Sequence, residues 1–123
     1  MNNRESWDRM ISFYETVVAE GQDLEPLLSV VKRIAATDYS EEFYPGVSHL
    51  ALCISMARTS KEPNEVPIIA VQYMGDQSFK VWFRSAGSDF SGRPDYRCLA
   101  GEIWSLLEAL FLRLNAEKES ITN

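Results

Sequence analysis

The chain reads as a single α+β domain over residues 1–123, with helices packed on a three-stranded antiparallel sheet in the order ααβββα. Three observations predict this. Apolar residues recur at helical spacing over the first 35 positions, apolar and polar residues alternate between Val47 and Phe83, and a broad apolar helical stripe closes the chain. At 123 residues the chain is one domain by size, able to bury a core of its own without disulfide staples.

The first helix places Trp7, Met10, Ile11, Tyr14, Val17 and Val18 on one face, with Ser6 as its cap and Gly21 as its stop. A second helix follows at once, with Leu24, Leu27, Leu28, Val31, Ile34 and Ala35 in a stripe. Asp23 can cap it, and Pro26 is tolerated in a first turn, where the backbone N–H has no helical partner. The short Gly21–Asp23 link makes the two helices antiparallel neighbours.

An acidic, aromatic loop, "TDYSEEFYPG", precedes the first expected strand, "VSHLALCISMA". There Leu50, Leu52, Ile54 and Met56 alternate with His49, Ala51, Cys53 and Ser55. "RTSKEPNEVP" is a polar connector. Ile68 to Tyr73 and Phe79 to Phe83 form the second and third strands around a turn near Gly75–Asp76.

Two registers compete in that hairpin. A two-residue Gly–Asp loop pairs Ala70 with Val81 and mixes apolar and charged side chains on each face. A three-residue loop gathers Ile69, Val71, Tyr73, Phe79, Val81 and Phe83 on one face and Gln72, Lys80, Trp82 and Arg84 on the other. A one-residue slip moves every side chain across the sheet, so the cleaner apolar face favours the longer loop. Beyond it, "SAGSDFSGRPD" is a long loop over 85–95. The last helix is expected from about Tyr96, with Leu99, Ile103, Leu106, Leu107, Leu110, Phe111 and Leu114 on its stripe and a frayed tail over 117–123.

Charge narrows the partners. The formal net charge is −6, but it is unevenly spread. Residues 1–79 carry six basic and twelve acidic side chains, whereas residues 80–97 hold Lys80, Arg84, Arg93 and Arg97 against Asp89 and Asp95. An acidic body repels nucleic acid and anionic membranes and attracts basic partners. "MNNRESWDRM" has no signal-peptide character, and no apolar run is long enough to span a bilayer. The expected location is cytoplasmic, with Cys53 and Cys98 reduced.

Few residues suggest chemistry. His49 is the single histidine, and Cys53, four strand positions on, lies roughly 13 Å away, too far for a dyad. Two cysteines and one histidine without close spacing make no zinc signature, so neither metal nor cofactor is expected. Cys98, read as lying in the first turn of the last helix, is a conceivable nucleophile because a helix dipole lowers a thiol's pKa. With Arg93, Arg97 and the 85–95 loop it supports an alternative reading as a small enzyme or ligand sensor, though the loop has no phosphate-binding glycine motif.

Two constellations remain. Asp38, Glu41 and Glu42 stand among Tyr39, Phe43 and Tyr44, and acids interleaved with aromatics suit an interface with a cationic surface. Lys80, Trp82 and Arg84, with Gln72 and His49, form a second candidate surface on the sheet, basic and aromatic in the manner of single-strand nucleic-acid binders. The acidic body and the absence of an RNP-type motif weigh against nucleic acid there.

The leading expectation is a non-enzymatic, bacterial-type protein-binding module. In size, charge and lack of catalytic residues it is similar to the immunity proteins and antitoxins that mask one basic partner, such as a toxin, with an acidic-aromatic surface: here Asp38, Tyr39, Glu41, Glu42 and Tyr44. A secretion-chaperone-like acidic homodimer is the other binding alternative.

Overall fold

The side-chain alternation read in the hairpin is present, but the sheet that carries it is larger than its sequence suggests. The computed structural model describes residues 2–56, 67–84 and 93–122, with side chains through residue 116. Its elements run α1 (Asn3–Ala19), α2 (Glu25–Ala35), α3 (Tyr39–Glu42), β1 (Tyr44–Ser48), β2 (Ala51–Ser55), β3 (Ile68–Gly75), β4 (Ser78–Arg84), β5 (Tyr96–Leu99) and α4 (Ile103–Thr122). The strands form one antiparallel meander in the order β1-β2-β3-β4-β5. The class is α+β as expected; the three-stranded sheet and the order ααβββα are corrected to five strands and four helices.

Each extra strand has a local cause. The expected strand "VSHLALCISMA" breaks at His49–Leu50, where both residues take positive φ, 51° and 68°. Ser48 then pairs with Ala51, closing a two-residue hairpin of the primed kind that matches sheet twist. His49 is therefore a turn residue, not a strand residue. β1 extends back through Pro45, which an edge strand tolerates because its missing N–H need not serve a neighbour. At the other end Tyr96–Leu99 is strand β5, pairing Lys80 with Arg97 and Phe79 with Cys98. The last helix begins only at Ile103.

The central hairpin adopts the register of the longer loop, pairing Ile69 with Phe83, Val71 with Val81 and Tyr73 with Phe79. The turn itself is Asp76–Gln77, both at positive φ, and an irregularity between Tyr73 and Gly75 takes up the extra residue. Gly75, at φ 85°, sits where a side chain would be strained.

Helix boundaries also shift. Asn2, rather than Ser6, caps α1, its side-chain oxygen accepting from Glu5 N–H at 2.9 Å. Gly21 ends the helix at φ 104°, with Gln22 N–H bonded to the Val17 carbonyl. Leu24 occupies the N-cap of α2 without a side-chain bond, so Asp23 does not cap it.

All the helices contribute to one core on one sheet face. Leu52, Ile54, Ile69, Val71, Phe79, Val81 and Phe83 cluster there with Trp7, Tyr14, Leu27, Ile34, Phe43, Leu107 and Phe111. Trp7 is fully buried, and its Nε1–H donates to the Phe43 carbonyl at 3.0 Å, tying α1 to the start of β1. The Tyr14 hydroxyl donates to the Leu50 carbonyl at 3.1 Å, anchoring the strained turn to the middle of α1. Among the described residues, no helix is long and apolar enough to cross a membrane.

Candidate binding surface

Because paired residues of an antiparallel sheet share a face, the register defines the side opposite the core. It carries Tyr44, Gly46 and Ser48 of β1, Ala51, Cys53 and Ser55 of β2, Ile68, Ala70 and Gln72 of β3, Ser78, Lys80, Trp82 and Arg84 of β4, and Arg97 and Leu99 of β5. None of the described helices packs on this side.

Its central row is Gln72–Lys80–Arg97. Lys80 and Arg97 are direct cross-strand partners, and neither has a carboxylate ion-pair partner among the described residues. Like charges directly opposite each other destabilise a strand pair, so the fold gains nothing from placing them together. Ser78 and Leu99 pair one row away, and Leu99 is 59 % exposed. Trp82 lies one row away on the other side, paired with Ala70. Its Nε1 is shut off from solvent with no acceptor among the described residues, the kind of orphaned donor that native structures rarely keep without reason.

Arg84 is held differently. Its Nη1 donates to Asp95 Oδ2 at 2.5 Å, and the same oxygen accepts the Phe83 N–H at 2.7 Å. The Arg84–Asp95 pair thus pins the start of β5 to the end of β4, leaving Lys80 and Arg97 as the cations of this face without an ion-pair partner among the described residues. His49 stands at its margin. With Ser48, Cys53, Gln72 and Trp82 it borders a hollow of about 180 Å³.

The structure separates the acidic-aromatic group. Tyr39 turns inward from α3, its ring 4.6 Å from Phe111 and its hydroxyl donating to Glu108 at 3.3 Å. Phe43 is fully buried. Tyr44 belongs to the sheet face opposite the core, in register with Ser55. Asp38 and Glu41 remain on the surface, where Arg4 reaches both, at 3.6 and 3.0 Å. Glu42 is exposed. The carboxylates share a surface, but its aromatic partners lie elsewhere.

Cys98 is corrected most sharply. It sits on the core side of the edge strand β5, not in a helical turn, and burial followed by the nearby Glu102 carboxylate pushes its thiol pKa up rather than down. Burial does the same to Cys53. Most of the 85–95 loop, residues 85–92, lies outside the described residues, as does the connector over 57–66. Among the described residues, no cluster of three or more His, Cys, Asp or Glu side chains could hold a metal ion.

A second hollow, of about 490 Å³, opens between α2 and the start of α4, where the Arg33 guanidinium stacks 4.3 Å over Trp104. Asp23 and Glu25 line it as well, so its charge is mixed.

Arg97 and Leu99 are residues of this face that sequence reading placed in the last helix. Their signal was the period-two alternation Tyr96-Arg97-Cys98-Leu99, hidden because Leu99 and Ile103 are also spaced as helical neighbours. No family model, curated protein or solved structure matches this chain.

Proposed function

We propose that this protein is a non-enzymatic protein-binding module whose recognition surface is the sheet face opposite the core. The observation that carries the reading is the Lys80–Arg97 pair in one register position, with no ion-pair partner among the described residues, flanked by Trp82 and the exposed Leu99. Two cations set side by side at a cost to the sheet, between two large apolar groups, have the composition of an interface centre rather than of an ordinary solvated face.

A second reading keeps the acidic surface as the interface, in the manner of an immunity protein or antitoxin masking a basic partner. It is favoured by the exposure of Asp38, whose side chain is 95 % accessible, beside Glu41 and Glu42. Arg4 already engages two of these three acids, which lowers their joint attraction for a cation.

One experiment separates the two. Tagged full-length protein is used to capture partners from its own cells at low salt, alongside Lys80→Gln/Arg97→Gln and Asp38→Asn/Glu41→Gln/Glu42→Gln. Loss of a retained protein in the first variant and retention in the second is the expected result. The reverse pattern assigns binding to the acidic surface and overturns the sheet-face reading.

A further inference from the structure

We infer that the partner is an extended acidic peptide segment, with an apolar–x–acidic–x–apolar pattern, lying along β4 on the sheet face opposite the core. This rests on the sheet-face reading and names what that face takes.

Spacing and charge select this occupant. Side chains on one face of a strand recur every second residue, about 7 Å apart. Three consecutive rows of this face are Ser78/Leu99, then Lys80/Arg97, then Trp82/Ala70. Read along β4 and its neighbour β5, they present an exposed apolar group on β5, a double cation across the two strands and an indole on β4, at the period of an extended chain. An extended peptide offers the complement at the same period: an apolar side chain on Leu99, a carboxylate between Lys80 and Arg97, and an apolar or aromatic side chain on Trp82. Strands lie about 5 Å apart, so one carboxylate reaches both cations, with charge-assisted hydrogen bonds to each.

Charge also selects among anions. A nucleic-acid strand offers phosphates and bases, but stacking sites for it combine a cationic track with successive aromatic platforms. Here one double cation and one half-buried indole sit on a chain of net charge −6, which repels a polyanion at long range. A short acidic segment needs only the single neutralising contact that the face provides.

The test uses the isotopically labelled full chain, with backbone-amide shifts followed at low ionic strength. The probes are acetylated Leu-Thr-Glu-Thr-Phe amide, its Gln counterpart and a short oligothymidylate. The expected result is that the Glu peptide shifts amides of β4 and β5, with binding weakened roughly tenfold in the Gln peptide and again in Lys80→Gln/Arg97→Gln. A thermal melt matching the parent shows that this variant is folded, and Leu99→Ser provides a second, independent loss. Tighter binding of oligothymidylate to the same rows overturns the acidic-peptide inference and leaves the surface reading standing. If no probe shifts β4 or β5 while partner capture still depends on Lys80 and Arg97, the inference alone fails. If capture is also indifferent to them, both fail.

Discussion

Lys80 and Arg97 face each other across β4 and β5, two cations in a single register position with no carboxylate paired to either among the described residues. Relieving that repulsion is expected to stabilise the fold. Arg97→Glu converts the pair into an attractive one and should raise stability by about 0.5 kcal/mol in urea unfolding, while abolishing partner capture. A variant that gains no stability contradicts the view that this pair is kept for binding.

Asp95 supports the face from the side, because one carboxylate oxygen accepts both Arg84 Nη1 and the Phe83 N–H. Asp95→Ala removes both bonds and should cost about 1–3 kcal/mol, with faster amide exchange in β5. Asp95→Asn, which keeps an acceptor, should lose less. Equal losses in the two variants count against the hydrogen bond to Phe83 as the source.

The β1–β2 turn stores strain that a better turn residue removes. His49 holds φ 51° without being glycine or asparagine, and Asn tolerates this left-handed conformation more readily. His49→Asn is expected to stabilise the protein by about 0.5–1 kcal/mol. Tyr14→Phe, which deprives the Leu50 carbonyl of its donor, should destabilise by about 1 kcal/mol. Opposite signs for the two variants are the check.

Both thiols are expected to be sluggish. Burial raises the pKa of Cys53, and burial with Glu102 raises that of Cys98, so less thiolate is present at neutral pH than in a free thiol. Alkylation by iodoacetamide at pH 7 should run slower than for glutathione and accelerate into the alkaline range. Glu102→Gln should speed the reaction at Cys98 alone.

The same direction sets an alkaline limit on stability. Tyr14, raised by burial and by the adjacent Cys53, and Cys53 itself are held neutral in the fold. Their contribution is complete below the unfolded pKa values and is lost as pH rises above them, because the unfolded chain releases these protons first. Urea midpoints should therefore fall from about pH 9 upward, and Tyr14→Phe should flatten that fall.

The central hairpin was legible because the alternation of Ile69, Val71 and Tyr73 with Phe79, Val81 and Phe83 leaves one register with a wholly apolar face. The outer strands were not. His49–Leu50 is a primed turn without the Asn-Gly signature that announces one. Pro45–Gly46 resembles a loop, yet an edge strand accommodates it. Leu99 and Ile103 have helical spacing although a corner separates them, with Ala100 N–H bonded to the Gln77 carbonyl and Leu99 N–H to Glu102. These misplacements concealed the site: Arg97 joins Lys80 only once residues 96–99 are a strand. The inward turn of Tyr39 was also beyond a local reading, since it depends on Phe111 and Trp104, some seventy positions away.

Photo-crosslinking in the protein's own cells tests the central claim most directly, with benzoylphenylalanine placed either at Gln72, at the end of the Lys80–Arg97 row, or at Glu42, on the acidic surface. A discrete protein adduct is expected from position 72 and none from position 42. An adduct from position 42 alone would contradict that claim and move the interface to the helical side of the molecule.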